Sequence, residues 1–369
     1  MFYKLLYFIL IYLLTIIDFV IILLPLWVML VPIYLSFDNH ISKATLITVI
    51  LLVLLVASCL VLIIMFFDFL FAFSVKGHIK NSKEYMKIKN YDVFKDIFED
   101  IKLHFNNHKV KLMIEESTVE NAYAVGNLGR QYIIITKGLV NMYLMELKNA
   151  KYFLTCMKCI MGHEMSHLIN KDYLPGLILS INERAIRFVS TIIYKFFNIF
   201  IVALNYIPFI GSILSNIVVF IYNLIDRTIN FFYKYIILSI YKFLQLKISR
   251  TAEYRCDLQS AKINGGVNMA QTLSALGESG YSTIFSSHPK TSDRMKYVKD
   301  IEKVDIIIKP EFGNGIINFI SILFMLTIPL ILYYFINLKV LENDYYTISM
   351  LIITKFNYFK LKILSLFGK

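Results

Sequence analysis

MGHEMSHLIN, residues 161–170, sets two histidines and a glutamate in a chain otherwise rich in Ile, Leu, Phe and Tyr, and the fold depends on what they are for. In a helix the rise of about 1.5 Å and turn of about 100° per residue put His163 and His167 on one face, roughly 6 Å apart along the axis. Two imidazoles on that face can converge on one cation. Glu164, directly after the first histidine, can reach a water beside the pair. This is the HExxH arrangement, in which zinc lowers the pKa of water towards 7 and the glutamate accepts its proton. The bland alternative is two ordinary helical histidines that fall four apart.

Other residues compete for the metal. His104 and His108 have the same spacing, but Phe105-Asn106-Asn107 between them offers no base. They close an amphipathic helix and are expected to face solvent. Cys156 and Cys159 share a helical stripe with the two histidines, yet Cys156 and His167 would lie about 16 Å apart along a straight helix, too far for one tetrahedral ion. Cys159 with His163 would leave His167 and Glu164 unexplained, so the cysteines are expected to pack between helices.

A catalytic zinc generally keeps three protein ligands and one open position. SRTAEYRCD, residues 249–257, offers a candidate third. Glu253 can complete the shell, and Asp257, one turn on, can accept a hydrogen bond from the far nitrogen of a ligand histidine and fix its tautomer. A solvated acidic face would account for the same two residues.

Outward from these motifs the chain is apolar: 57% of its 369 residues are hydrophobic, and the mean hydropathy is +0.62. Residues 5–35 and 45–73 are runs long enough to cross a hydrocarbon core, which needs about 20 helical residues, and they flank a turn at 38–40. The first run lacks a small-residue cleavage site and is expected to be retained as an anchor. Lys76, Lys80, Lys83, Lys87 and Lys89 follow the second run, against Lys43 alone in the turn. Residues after 73 should therefore face the cytoplasm. The net charge of +12 suits anionic head groups and calls for no nucleic acid. On a cytosolic face the four cysteines should be reduced thiols. Asp18, Asp68 and Asp226, in or near apolar runs, are either functional candidates or head-group contacts.

Between 74 and 172 the composition is that of a folded domain. Phe94, Ile97, Phe98, Ile101 and Phe105 predict an amphipathic helix over 91–106. Strand-like stretches follow at 110–114 and 131–136, with turn signals at Gly126 and Gly129 between them. Helices are expected over 137–147 and 151–170, the second stopping before Pro175-Gly176. Beyond, 188–205 and 212–225 form the arms of a second hairpin around 206–211. Both arms return to one side, so a single site can draw on both halves of the chain. Residues 316–336 are a further candidate crossing, and the basic tail carries an apolar run at 345–359 that either returns through the membrane or lies on its surface.

HEMSH at 163–167, SRTAEYRCD at 249–257 and SSHPKTSDRM at 286–295 together resemble the HtpX-type membrane metallopeptidases of family M48. Asn170-Lys171-Asp172 after the zinc helix, the apolar hairpin between the ligands and Asn121-Ala122-Tyr123-Ala124 upstream are similar too. The resemblance covers roughly residues 1–300. It implies a predominantly α membrane protein with multiple transmembrane helices and an α+β gluzincin-like catalytic domain. The expected organisation is an N-terminal transmembrane hairpin (1–75), a first catalytic part with the HExxH helix (76–176), a membrane-embedded hairpin (177–247), a second catalytic part with the third ligand (248–311), and a C-terminal transmembrane helix and tail (312–369).

The resemblance also implies one zinc ion per chain on His163, His167 and Glu253, with Glu164 as general base and Asp257 supporting a ligand. His288 would hydrogen-bond the developing oxyanion or orient the site, Arg294 would support it, and Asn121, Ala122 and Tyr123 would hold substrate on an edge strand. The implied activity is zinc-dependent endopeptidase cleavage of membrane or misfolded proteins, at the cytoplasmic membrane with the catalytic domain inside. A processing role like that of the CAAX prenyl proteases, and a non-proteolytic zinc-binding scaffold, are the alternatives. Partners would be polypeptide substrates and the lipid bilayer, with no nucleic acid; a homo-oligomer is left open.

Overall fold

The computed structural model describes residues 4–11, 43–88, 91–127, 129–146, 149–232, 235, 238–277 and 289–335. The expected turn at 38–40, Asp18, His288 and the tail run at 345–359 lie outside the described residues, as does most of the first apolar run. In chain order the elements are α1 (4–11), α2 (Lys43–Phe71), α3 (Phe73–Ile79), β1 (Ser82–Glu84), α4 (Phe94–His104), β2 (Val110–Glu115), β3 (Ala122–Gly126), β4 (Gln131–Thr136), α5 (Lys137–Glu146), α6 (Ala150–Ile169), α7 (Leu174–Asn205), α8 (Gly211–Phe232), α9 (Leu238–Asn264), α10 (Gly266–Ala275), α11 (Thr291–Val298) and α12 (Phe312–Phe335). The fold is mostly helical with one small mixed sheet.

The chain divides into two compact units, one of residues 1–15, 63–187 and 226–322, the other of 16–62, 188–225 and 323–369. In the first unit the sheet order is β1-β2-β4-β3. β1 pairs antiparallel with β2, β2 parallel with β4, and β4 antiparallel with β3. β3 is therefore an edge strand, as the resemblance implied, where the turn signals alone suggested a loop. The turn is confined to the residues after it: Asn127 Oδ1 accepts from the backbone N–H of Gly129 and Arg130 at 3.0 and 2.7 Å, an Asx turn that closes the hairpin.

Alternation turns Val110, Leu112 and Ile114 of β2 inward, each at most 2% exposed, and registers Leu112 with Ile133 and Ile114 with Ile135. Phe94, Phe98 and Ile101 form the buried stripe of α4 that the sequence periodicity predicts. Sheet, α4 and α6 close one core through Tyr143, Phe153, Met157 and Met161. Truncating Leu112, 0% exposed at its centre, to Ala removes packed methyl groups that little can replace. The expected loss is about 2–5 kcal/mol, read as a lower thermal midpoint.

Asp68 has a structural duty that accounts for its place in an apolar run. It is buried in the last turns of α2, just before the junction with α3, where Ala72 adopts φ 53°. Its carboxylate accepts from Ser74 N–H and Ser74 Oγ at 2.6 and 2.7 Å and from Arg184 at 3.2 Å. The acid thus satisfies the start of α3 rather than reaching head groups.

α7 begins at Leu174, not at residue 188, because Pro175 sits in its first turn, where the missing N–H costs nothing. In the second unit, the end of α7 and the start of α8 are joined by a turn in which Phe209 takes φ 65°. Ser215 Oγ donates to Asn205 Oδ1 at 2.7 Å, and Phe197 meets Tyr222 at a ring separation of 4.8 Å. Among the described residues one helix, Leu174–Asn205, is long and apolar enough to cross a membrane, and Ser58–Phe71 with Phe73–Ile79 passes as a pair bent by 46°.

Candidate metal centre

The centre is built in the first unit, where α9 crosses α6. Contacts step in opposite directions along the two helices: Asn264 with Lys158, Ser260 with Cys159, Asp257 with His163, Glu253 with His167. Gly162 makes the close crossing feasible, since a Cβ there would meet Ser260 Oγ at 2.8 Å, and that hydroxyl already donates to Cys159 O at 2.7 Å. Gly162→Ala is therefore expected to push α9 away from α6. The predicted result is a loss of about 1–3 kcal/mol, read as a lower thermal midpoint.

Three side chains converge here. His163 Nε2 and His167 Nε2 lie 3.2 Å apart, and the Glu253 carboxylate is 3.5 Å from each. Behind the rings, His163 Nδ1 lies 2.9 Å from Asp257 Oδ1 and His167 Nδ1 lies 2.9 Å from Asp172 Oδ2. A carboxylate only accepts, so each Nδ1 carries the ring proton and each Nε2 presents a lone pair. Two lone pairs and a carboxylate thus face one another across a few ångströms. Such a set is stable only around a positive charge, and these donors suit zinc.

Without a cation between them, the same carboxylates would draw a second proton onto each ring. Burial disfavours charge on His163, yet the Asp257 and Glu253 carboxylates beside it prevail and raise its pKa to about 10. His167 is also buried, and Cys256, Asp172 and Glu253 raise it well above the ordinary imidazole range. Burial likewise opposes ionisation of Asp257, but Arg294 and His163 hold its carboxyl below the usual range.

Glu164 is buried, 7% exposed, and lines the two cavities of about 340 and 300 Å³ that adjoin the histidines. Asn121 and Ala122 line both, and Tyr123 the larger. Asn121 is fixed by Thr136, whose Oγ1 accepts its N–H at 3.0 Å and donates to its carbonyl at 2.8 Å. The start of the edge strand β3 is thereby held at the cavity mouth. Arg294 lies against the carboxylates of α9: it grips Asp257 through two bonds of 2.7 Å and reaches Glu253 at 3.1 Å. His288 lies outside the described residues, so only Arg294 of that pair is located.

Cys156 and Cys159 are buried in α6, and burial pushes the Cys159 thiol up to about 12. Of the other histidine pair, His108 is exposed, whereas His104 is half-buried, facing Asp100 and Asp305 at 3.5 and 3.3 Å. A second grouping of His167, Asp172 and Cys256 has ligand atoms within 4.8 Å. There, however, Asp172 is already held by Arg255 and by Lys4, the latter at 3.9 Å.

Asp172, Arg255 and Lys4 had no role in the sequence reading. Asp172 and Arg255 lie within quoted motifs, but nothing local says which imidazole a carboxylate will meet. Asn170 also gains a role: its Nδ2 donates to Ser166 O and Gln259 Oε1, while its Oδ1 accepts from Glu311 N–H at 2.9 Å. It ties the end of α6 to α9 and to the residue before α12.

A family model described as peptidase family M48 matches residues 91–302, a span that includes β2–β4, both ligand helices and Arg294. Among solved structures, a crystal structure of S. mikatae Ste24p aligns at 14% identity over 78% of this chain and 66% of that one, with a TM-score of 0.37. No curated protein matches the chain.

Proposed function

Because the chain belongs to peptidase family M48, a family of zinc metallopeptidases, we propose that it is a membrane-anchored zinc endopeptidase cutting membrane or misfolded proteins. One observation carries the reading: His163 Nε2, His167 Nε2 and a Glu253 oxygen lie within 4.8 Å of one another, with Glu164 following His163 in the wall of the same cavities.

His163, His167 and Glu253 would hold the zinc. Bound there, zinc supplies Lewis-acid polarisation of a peptide carbonyl and lowers the pKa of water. Asp257 and Asp172 keep the two imidazoles in the tautomer that offers Nε2. Arg294 restrains Glu253 and Asp257 from behind. Glu164 accepts the proton of the attacking water on its carboxylate and passes it to the nitrogen of the departing amine. The free side of β3, from Ala122, would pair with an extended substrate, and backbone pairing selects for unfolded chain rather than for sequence. His288 remains the proposed support for the developing oxyanion, while Arg294, committed to Asp257 and Glu253, acts on those carboxylates instead.

Anchoring would come from the apolar hairpin ahead of the catalytic residues, the α7–α8 hairpin and α12, a multi-pass arrangement with the lysines after residue 75 on the cytoplasmic side. The large apolar side chains of α7 and α8 that face outward, such as Ile199 at 70% and Phe220 at 68% exposure, suit lipid. The test is direct. Detergent-purified protein is assayed for zinc content, and for cleavage of an unfolded protein and of a prenylated C-terminal peptide. About one zinc per chain with cleavage of the unfolded protein is expected. Cleavage of the prenylated peptide alone would support the processing role, and zinc without cleavage of either would support the scaffold.

A further inference from the structure

Asp172, the carboxylate behind His167, is met by cations from two distant parts of the chain. Arg255, on α9, contacts Oδ2, the oxygen that also accepts from His167 Nδ1. Lys4, on α1, places Nζ 3.9 Å from the other oxygen, Oδ1. Lys4 is only 4% exposed, whereas a lysine near a chain's surface ordinarily extends its ammonium into water. Its burial needs a partner charge, and among the described residues Asp172 is the acid within 4 Å, facing the ammonium as a charge rather than through a hydrogen bond.

The lysine is held there by its own helix. Tyr7, Phe8 and Ile11 of α1 are at most 2% exposed. Tyr7 packs edge-to-face on Tyr241 of α9 at 5.9 Å, and Tyr241 Oη donates to the Ile11 carbonyl at 3.3 Å. α1 is thus packed on α9, which also carries Glu253, Arg255 and Asp257.

Arg255 and His167 both contact Oδ2, and the Lys4 ammonium faces the other oxygen, 3.9 Å from Oδ1. Without that ammonium the carboxylate would be drawn towards the Arg255 guanidinium alone, at the expense of its bond to His167 Nδ1. We propose that Lys4 is a positioning residue of the metal centre: its charge, facing the other oxygen of Asp172, offsets the pull of Arg255, keeps the carboxylate on His167 Nδ1, and so keeps His167 Nε2 aimed at the metal. This rests on the metallopeptidase reading in requiring a metal at Nε2. It assigns the first described helix of the chain a part in metal binding besides its part in packing.

The test uses full-length protein in detergent and reads metal binding rather than turnover. Zinc affinity is measured by chelator competition, and the visible spectrum of the Co²⁺-substituted protein reports ligand geometry. Lys4→Met is expected to weaken zinc binding by about 10–100-fold, the range for residues that support a ligand, and to shift the Co²⁺ bands. Lys4→Arg should restore most of both. In an Asp172→Asn background Lys4→Met should have little further effect, because its route to the metal is already cut. Wild-type affinity and spectrum in Lys4→Met would overturn the inference, whatever its thermal midpoint does. So would an undiminished effect in the Asp172→Asn background. Wild-type protein that takes up neither metal would instead overturn the metallopeptidase reading on which the inference depends.

Discussion

Glu164→Gln is expected to lower the rate of peptide hydrolysis by about 10²–10⁴-fold, the usual contribution of a positioned proton-transfer group, while leaving zinc content unchanged. The two halves of this outcome have separate structural causes. Glu164 is not one of the three side chains whose donor atoms converge, so its charge is not needed to hold the ion. It does line both cavities at the histidines, where a water would be deprotonated. Glutamine has the same shape and can still bond to water, but it cannot take a proton at neutral pH. The measurement is a pair of assays on the same preparation: cleavage of an unfolded protein, and zinc by elemental analysis. Equal rates for variant and wild type would remove Glu164 as the base, and zinc lost along with activity would make it a ligand or a structural support instead.

The part of the centre legible in sequence is the part set by local geometry. Helix pitch alone put His163 and His167 on one face of what is α6, and the apolar spacing of Phe94, Phe98 and Ile101 drew the buried stripe of α4. Glu253 and Asp257, one turn apart, showed that a carboxylate pair shares a face, but not which face or what it meets. That needed the crossing with α6, which depends on the missing side chain at Gly162. Asp172, Arg255 and Lys4 were illegible for a deeper reason. Their meaning lies in contacts across 83 and 168 residues, and a single charged residue in sequence is as readily a solvated one. The β3 hairpin was obscured differently. Glycines at 126 and 129 are read locally as turn formers, yet Gly126 pairs with Gln131 in the sheet and the bend belongs to Asn127.

Glu253→Ala should cost more zinc affinity than any supporting residue, that is, beyond the about 10–100-fold set by residues behind a ligand. It removes the one anion among the three converging side chains and leaves two neutral imidazoles as donors. The fold should tolerate it. Arg294, which touches Glu253 at 3.1 Å, keeps both of its 2.7 Å bonds to Asp257, so no buried charge is orphaned. Asp257→Ala makes the informative contrast, for it strips Arg294 of those two bonds at a position 0% exposed. Breaking a buried pair from one side typically costs about 3–5 kcal/mol, and the thermal midpoint should fall with it. The two variants thus separate holding the metal from holding the fold: Glu253→Ala loses zinc with a nearly native midpoint, and Asp257→Ala loses stability as well. Unchanged zinc affinity in Glu253→Ala would move the third ligand elsewhere. The other grouping, His167 with Asp172 and Cys256, would then be the one to test, and Cys256→Ala would take the affinity that Glu253→Ala had spared.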